Sequence, residues 1–226
     1  MTSYGTMIDA TGANLSGLLS ALGSNFPQTI ASYVTGTDGI EATAAQFATI
    51  ARDCGVFRYD QSPTLADFAS GNADGADIEN GAGTIVSAVD AAQRREANNW
   101  YSWFYISSSS LADARTAVEG AKLGRVRFIV ADWNLSQAEA QTFLAGNDDV
   151  DAVQWASPSS NPNTICPGTS RTLKQLNVDL NATRAGWFIK ASQPVPPPVT
   201  QSGLVVTDNL STMAVTSTDG KTWTAK

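Results

Sequence analysis

The feature that most constrains this chain is an alternation. Through its first 190 residues, short apolar runs bounded by Gly, Asn, Asp or Ser give way to segments whose apolar residues recur three and four apart. Eight runs read as strands, at 5–10, 28–34, 56–60, 76–79, 101–106, 126–131, 151–155 and 176–180. Between them, Leu15, Leu18, Leu19 and Leu22 form one helical stripe, Ala44, Phe47, Ile50 and Ala51 another, and Ile85, Val89 and Ala92 a third. Ser136 followed by Glu139 is a capping box. Strand and helix alternating eight times predict an α/β fold, a closed parallel TIM-like (β/α) barrel with its helices outside. A doubly wound open sheet is the alternative, but no Gly-rich phosphate turn follows the first strand. Between Trp155 and Leu176 there is little room for a helix, so the last third of the barrel is expected to be irregular.

The composition changes near residue 191. Residues 191–202 form a Pro-rich linker, whose Gln193-Pro194-Val195-Pro196-Pro197-Pro198-Val199 run fits a stiff polyproline II spacer. Residues 203–226 read as a small β segment. Leu204-Val205-Val206, Met213-Ala214-Val215 and Thr222-Trp223-Thr224 are its strands, and Asp219-Gly220 is a hairpin turn. So short a segment does not fold alone. It is expected to pair with the barrel, with another copy of itself or with a larger assembly; partial disorder is the alternative. The expected organisation is a barrel at 1–190, the linker, and the tail.

The sequence contains no histidine and two cysteines. Ser-His-Asp and Cys-His nucleophile systems are therefore excluded, and no metal site or cofactor is expected. Acid–base chemistry near neutral pH falls to carboxylates, Tyr, Lys or Cys. Cys54 and Cys166 read as buried thiols. The 14 Lys and Arg against 21 Asp and Glu give a net charge of -7, with no basic stripe for nucleic acid or an anionic membrane. Met1-Thr2-Ser3-Tyr4 carries no signal-peptide pattern, and no apolar run is long enough to span a bilayer.

The acids carry the chemical signal. In Asp77-Ile78-Glu79 the two carboxylates are two residues apart, which on a strand puts both on one face. At the C-terminal end of a barrel strand, that is where barrel enzymes keep their chemistry. Mutual repulsion and partial burial raise the pKa of one of them, and a protonated acid beside an ionised one suits glycosidic bond cleavage. Asp9 ends the first predicted strand and Asp179 the last, so a closed barrel brings both to the same mouth. Asp60 and Asp132 also end strands, where they either line the mouth or cap the helices that follow. Tyr59, Tyr105, Trp133 and Trp155 cluster at these ends, either to stack on sugar rings or to pack as core and rim.

Taken in order, Asp9, Asp77-x-Glu79, the Tyr105-Ile106-Ser107 run, Gln154-Trp155 and Val178-Asp179-Leu180-Asn181 resemble glycoside hydrolase family 25, the N-acetylmuramidase lysozymes of bacteria and phages. The chain is also similar to glycoside-hydrolase-like barrels of actinobacterial and actinophage proteins. The resemblance covers roughly residues 4–190. It implies that Glu79 is the general acid, that Asp77 assists the sugar's N-acetyl group or stabilises the charged intermediate, and that Asp9 and Asp179 line the subsite. The implied partner is bacterial cell-wall glycan. The implied setting is a phage virion or release from the host cytoplasm, with residues 203–226 docking on virion proteins or on another copy. Two departures stand out: the first strand continues Asp9-Ala10-Thr11-Gly12, and the third reads Arg58-Tyr59-Asp60. The alternative is a catalytically silent phage tail or capsid protein that uses the same barrel to bind the wall.

Overall fold

The computed structural model describes residues 4–36, 40–79 and 82–188, and the backbone at 215–216 and 222–223. The chain divides into two units, Met1–Pro194 and Val195–Lys226. In the first, eight strands close into a barrel in chain order. They are β1 (Tyr4–Asp9), β2 (Thr29–Thr35), β3 (Gly55–Asp60), β4 (Gly75–Asp77), β5 (Ser102–Ser107), β6 (Val126–Ala131), β7 (Val150–Ala156) and β8 (Asp179–Arg184). Alternating with them are α1 (Gly12–Leu22), α2 (Ala44–Asp53), α3 (Ala66–Ser70), α4 (Ile85–Glu96), α5 (Leu111–Gly120), α6 (Gln137–Gly146) and α7 (Leu173–Leu176). The fold is therefore an α/β barrel and not an open sheet.

One strand departs from the expected all-parallel barrel. β8 runs antiparallel to both of its neighbours, β1 and β7. The reason lies in the connection. A parallel return needs a crossover long enough to carry the chain back along the barrel, usually a helix. After β7 the chain forms loops and the four residues of α7, and re-enters the sheet from the end at which it left. The strand expected at 176–180 is accordingly shifted to Asp179–Arg184. Asp179 begins the last strand and does not end it. Because the strand is reversed, its start is still at the mouth.

Period-two alternation sorts the side chains. Met7, Ala31, Phe57, Tyr59, Tyr105, Ile129 and Ala152 point inward and form one buried cluster. Their sequence neighbours Ile8, Ile30, Phe104, Ile106, Phe128, Val130 and Val153 point outward, beneath the helices. On α1 the stripe is as expected, with Leu15, Leu18 and Leu22 buried. Each large side chain so buried contributes roughly 1.5–3 kcal/mol. The Ser136–Glu139 capping box opens α6: the Ser136 hydroxyl accepts from the Glu139 amide, and the Ser136 amide donates to the Glu139 carboxylate at 2.7 Å. Cys54 and Cys166 are both buried, and burial pushes the Cys166 thiol up to about 11.

The end of the barrel opposite Asp9 is closed by aromatic rings. Phe188, just past β8, lies with its centroid 4.8 Å from both Phe57 and Trp103, and 4.9 Å from Trp187. Its carbonyl accepts from the Thr29 hydroxyl at 2.9 Å. That carbonyl passes so close to Gly55 that an added Cβ would sit 1.5 Å from it, which explains glycine there. Arg95 of α4 is almost fully buried and donates to the carbonyls of Phe68, Ala73 and Tyr101, clamping the β4 approach to β5.

In the second unit, β9 (Val215–Thr216) pairs antiparallel with β10 (Thr222–Trp223). The expected linker, the strand at Leu204-Val205-Val206 and the Asp219-Gly220 turn lie outside the described residues. No helix among the described residues is long and apolar enough to cross a membrane.

Candidate functional site

The barrel brings the four acids to one mouth. Asp9 ends β1 and Asp179 opens β8, and the two are directly opposed in the antiparallel ladder. Asp77 ends β4 opposite Tyr105 of β5. Ile78 packs against the outer core, its amide donating to the Tyr105 carbonyl at 2.9 Å. The strand alternation thus persists past its last ladder residue and returns Glu79 to the mouth, where it is exposed.

Their environments differ. Asp77 is fully buried; burial first, and the Glu79 charge second, push its carboxyl up to about 7. Its Oδ2 accepts from the Gln61 side-chain amide at 3.1 Å, which opposes the shift. Asp179 is likewise pushed up to about 7, by burial and then by Glu79. Asp9 is raised well above the usual carboxylate range by burial, then by Asp179, Asp77 and Glu79. Burial also raises Glu79, opposed by hydrogen bonding with Tyr105. Four acids acting on one another in a part-buried mouth are an arrangement that holds protons near neutral pH.

Beneath the acids the barrel interior is polar where packing alone would favour hydrocarbon. The Tyr59 hydroxyl, Asp77 Oδ1 and both amide atoms of Asn181 are buried with no hydrogen-bond partner among the described residues. Each such atom costs stability, and Thr183 Oγ1 and Trp187 Nε1, toward the opposite end of the barrel, are likewise buried without a partner among the described residues. Tyr33, two residues before the end of β2, is half-buried; burial and then the charges of Asp9 and Asp77 raise its hydroxyl.

Beside Asp179 the mouth opens into a cleft of about 480 Å³, lined by Trp133, Ser157, Pro158, Ser159, Ser160 and Asn177 together with Asp179 itself. Trp133 is 49% exposed, and its indole N–H donates to Gln154 Oε1 at 3.0 Å. An exposed indole face held in place beside a cleft that also presents serine, Asn177 and Asp179 side chains suits the C–H face of a sugar ring.

The expected site residues separate into those at the mouth and those elsewhere. Asp9, Asp77, Glu79 and Asp179 converge. Tyr59 and Tyr105 are buried below them, Tyr59 with its ring 5.6 Å from that of Tyr105. Trp133 lines the cleft. Asp60 is used structurally: it is fully buried, its Oδ1 accepting from the Ser62 amide at 2.8 Å and its Oδ2 from the Phe68 amide of α3 at 2.9 Å. Of its two readings, the cap is the one observed. Asp132 accepts from the Asn134 amide at 3.2 Å within the turn after β6, while Ser136 caps α6. Trp155 faces outward and packs against both outer core clusters. Its neighbour Gln154 points inward. Tyr33, Gln61 and the Ser157–Ser160 loop were not singled out by sequence; for Tyr33 the signal was the period of β2, and for the loop there was none.

Comparison of the sequence with protein-family models and with curated proteins returns no match.

Proposed function

We propose that the mouth is the active site of a glycoside hydrolase acting on bacterial cell-wall glycan. The observation that carries this reading is the convergence of a buried Asp77, whose carboxyl titrates near 7, with an exposed Glu79 two residues on and the opposed Asp9–Asp179 pair. Glu79, at the rim, meets the glycosidic oxygen and donates its proton. Asp77, with one oxygen held by Gln61 and the other unpartnered, faces the sugar from below. There its carboxyl, protonated below about 7, orients a polar substituent of the sugar. Burial holds the Glu79 carboxyl above the usual carboxylate range, and hydrogen bonding with Tyr105 opposes the rise. The cleft beside Trp133 holds the adjoining sugars.

Digestion of purified peptidoglycan, followed by assay of new reducing ends, tests this. Release by the full chain supports it, and its absence on actinobacterial walls overturns it. A second reading, a wall-binding barrel that does not cut, is favoured by the Trp133 cleft, which needs no chemistry to hold glycan. Co-sedimentation with walls but no reducing ends would establish that reading.

A further inference from the structure

A single buried oxygen joins the cleft to the acids. Gln154 of β7 is 1% exposed. Its Oε1 accepts from the Tyr105 hydroxyl at 2.7 Å and from the Trp133 indole at 3.0 Å. An amide oxygen has two lone pairs, and both are taken. An indole N–H can only donate, so Trp133 also fixes which way the amide faces. The two donors come from different elements, β5 and the turn after β6, and serve different parts of the mouth. Trp133 walls the cleft, whereas Tyr105 neighbours Glu79.

We infer that Gln154 is a positioning residue that couples the saccharide cleft to the acid, fixing the Trp133 platform and the Tyr105 hydroxyl with the same atom. The inference rests on reading the mouth as a glycan site. Tyr105 has one hydroxyl proton and two acceptors within reach, Gln154 and Glu79. The more firmly Gln154 holds that proton, the less the Glu79 carboxylate is stabilised, and the higher the pH to which Glu79 keeps its own proton. Asp9 of β1, Asp77 of β4 and Asp179 of β8 also face Glu79, whose charge raises each of them. They are unchanged in the variants below, which isolate the Gln154–Tyr105 link.

The test follows the Glu79 carboxyl by NMR titration in the full chain, and the binding of a chitin tetrasaccharide by tryptophan fluorescence. Gln154→Met releases the hydroxyl toward Glu79, so the Glu79 midpoint falls. It also frees Trp133, and the tetrasaccharide binds about three- to tenfold more weakly, the equivalent of one lost hydrogen bond. Tyr105→Phe raises the midpoint and leaves saccharide binding within about twofold, because the Trp133 tether remains. Trp133→Phe weakens binding without lowering the midpoint. In the double variant Gln154→Met with Tyr105→Phe, the Gln154 effect on the midpoint disappears. A midpoint unmoved by both Gln154→Met and Tyr105→Phe overturns the coupling, and Tyr105→Phe decides this arm alone should Gln154→Met fail to fold. None of these readouts needs turnover. A chain that shows these shifts yet releases no reducing ends would overturn the hydrolase reading and keep the coupling.

Discussion

Asp9 and Asp179 stand directly opposite each other across the antiparallel β1–β8 pair. Two carboxylates so placed, Asp9 buried and Asp179 half-buried, cannot both ionise near neutral pH without a cost to the fold. The reversal of β8 therefore does more than close the barrel, since it sets the start of one strand against the end of another and pairs their acids at the mouth.

The first consequence is a pH-dependent stability of unusual sign. In the fold Asp77 and Asp179 titrate near 7, while in the unfolded chain they return to about 4. Between these values the folded chain binds more protons than the unfolded one, so stability is greatest below pH 4 on this account and is lost as pH rises through 7. Thermal melts should show a Tm lower at pH 8 than at pH 5, by on the order of 5 °C. Asp179→Asn should flatten that slope, and a Tm that rises over the same interval would contradict the assignment.

Asp60 should behave as a structural residue despite its place at a strand end. Asp60→Ala strips the Ser62 and Phe68 amides of their acceptor in a fully buried site. The expected loss is about 2–4 kcal/mol in urea unfolding. Glycan affinity of the folded fraction should not change, and a selective loss of binding would return Asp60 to the site.

Two tryptophans should separate by phenotype. Trp133→Ala removes the exposed face of the cleft and should weaken saccharide binding on the order of tenfold, with little effect on Tm. Trp155→Ala removes packing between the outer clusters and should destabilise the chain by about 3 kcal/mol while leaving binding intact. Parallel calorimetry and denaturation of the two variants check this, and the opposite pattern would reverse their roles.

Arg95 should resist conservative replacement. Its guanidinium reaches three carbonyls and the Ser102 hydroxyl at once, and lies 4.5 Å over the Phe68 ring. A lysine ammonium cannot span that fork. Arg95→Lys should therefore cost about 3 kcal/mol or more in equilibrium unfolding; near-wild-type stability would show that the carbonyls find other donors.

The repeated strand and helix pattern made the barrel legible, and period two placed Asp9, Asp77 and Glu79 on the mouth. The pattern places Asp179 at the right end for the wrong reason, because strand direction is set by the length of the connection before it and not by the strand's own residues. Trp155 and Gln154 show the limit of phase. The two are adjacent, one faces the outer core and the other the interior, and an apolar run buried on both sides does not reveal which. Asp60 was ambiguous because its partners, two and eight residues on, are backbone amides that any residue supplies. The Trp133 cleft was not legible, since it is formed by loops whose shape depends on the reversed β8.

The most direct test of the central claim is the rate of reducing-end release from purified peptidoglycan by the wild-type chain and by Glu79→Gln. This substitution keeps the shape of the side chain and removes its transferable proton. The account predicts release by the wild type and a loss of at least about a hundredfold in the variant, with Tm not lowered. A variant that cuts as fast as the wild type would contradict it.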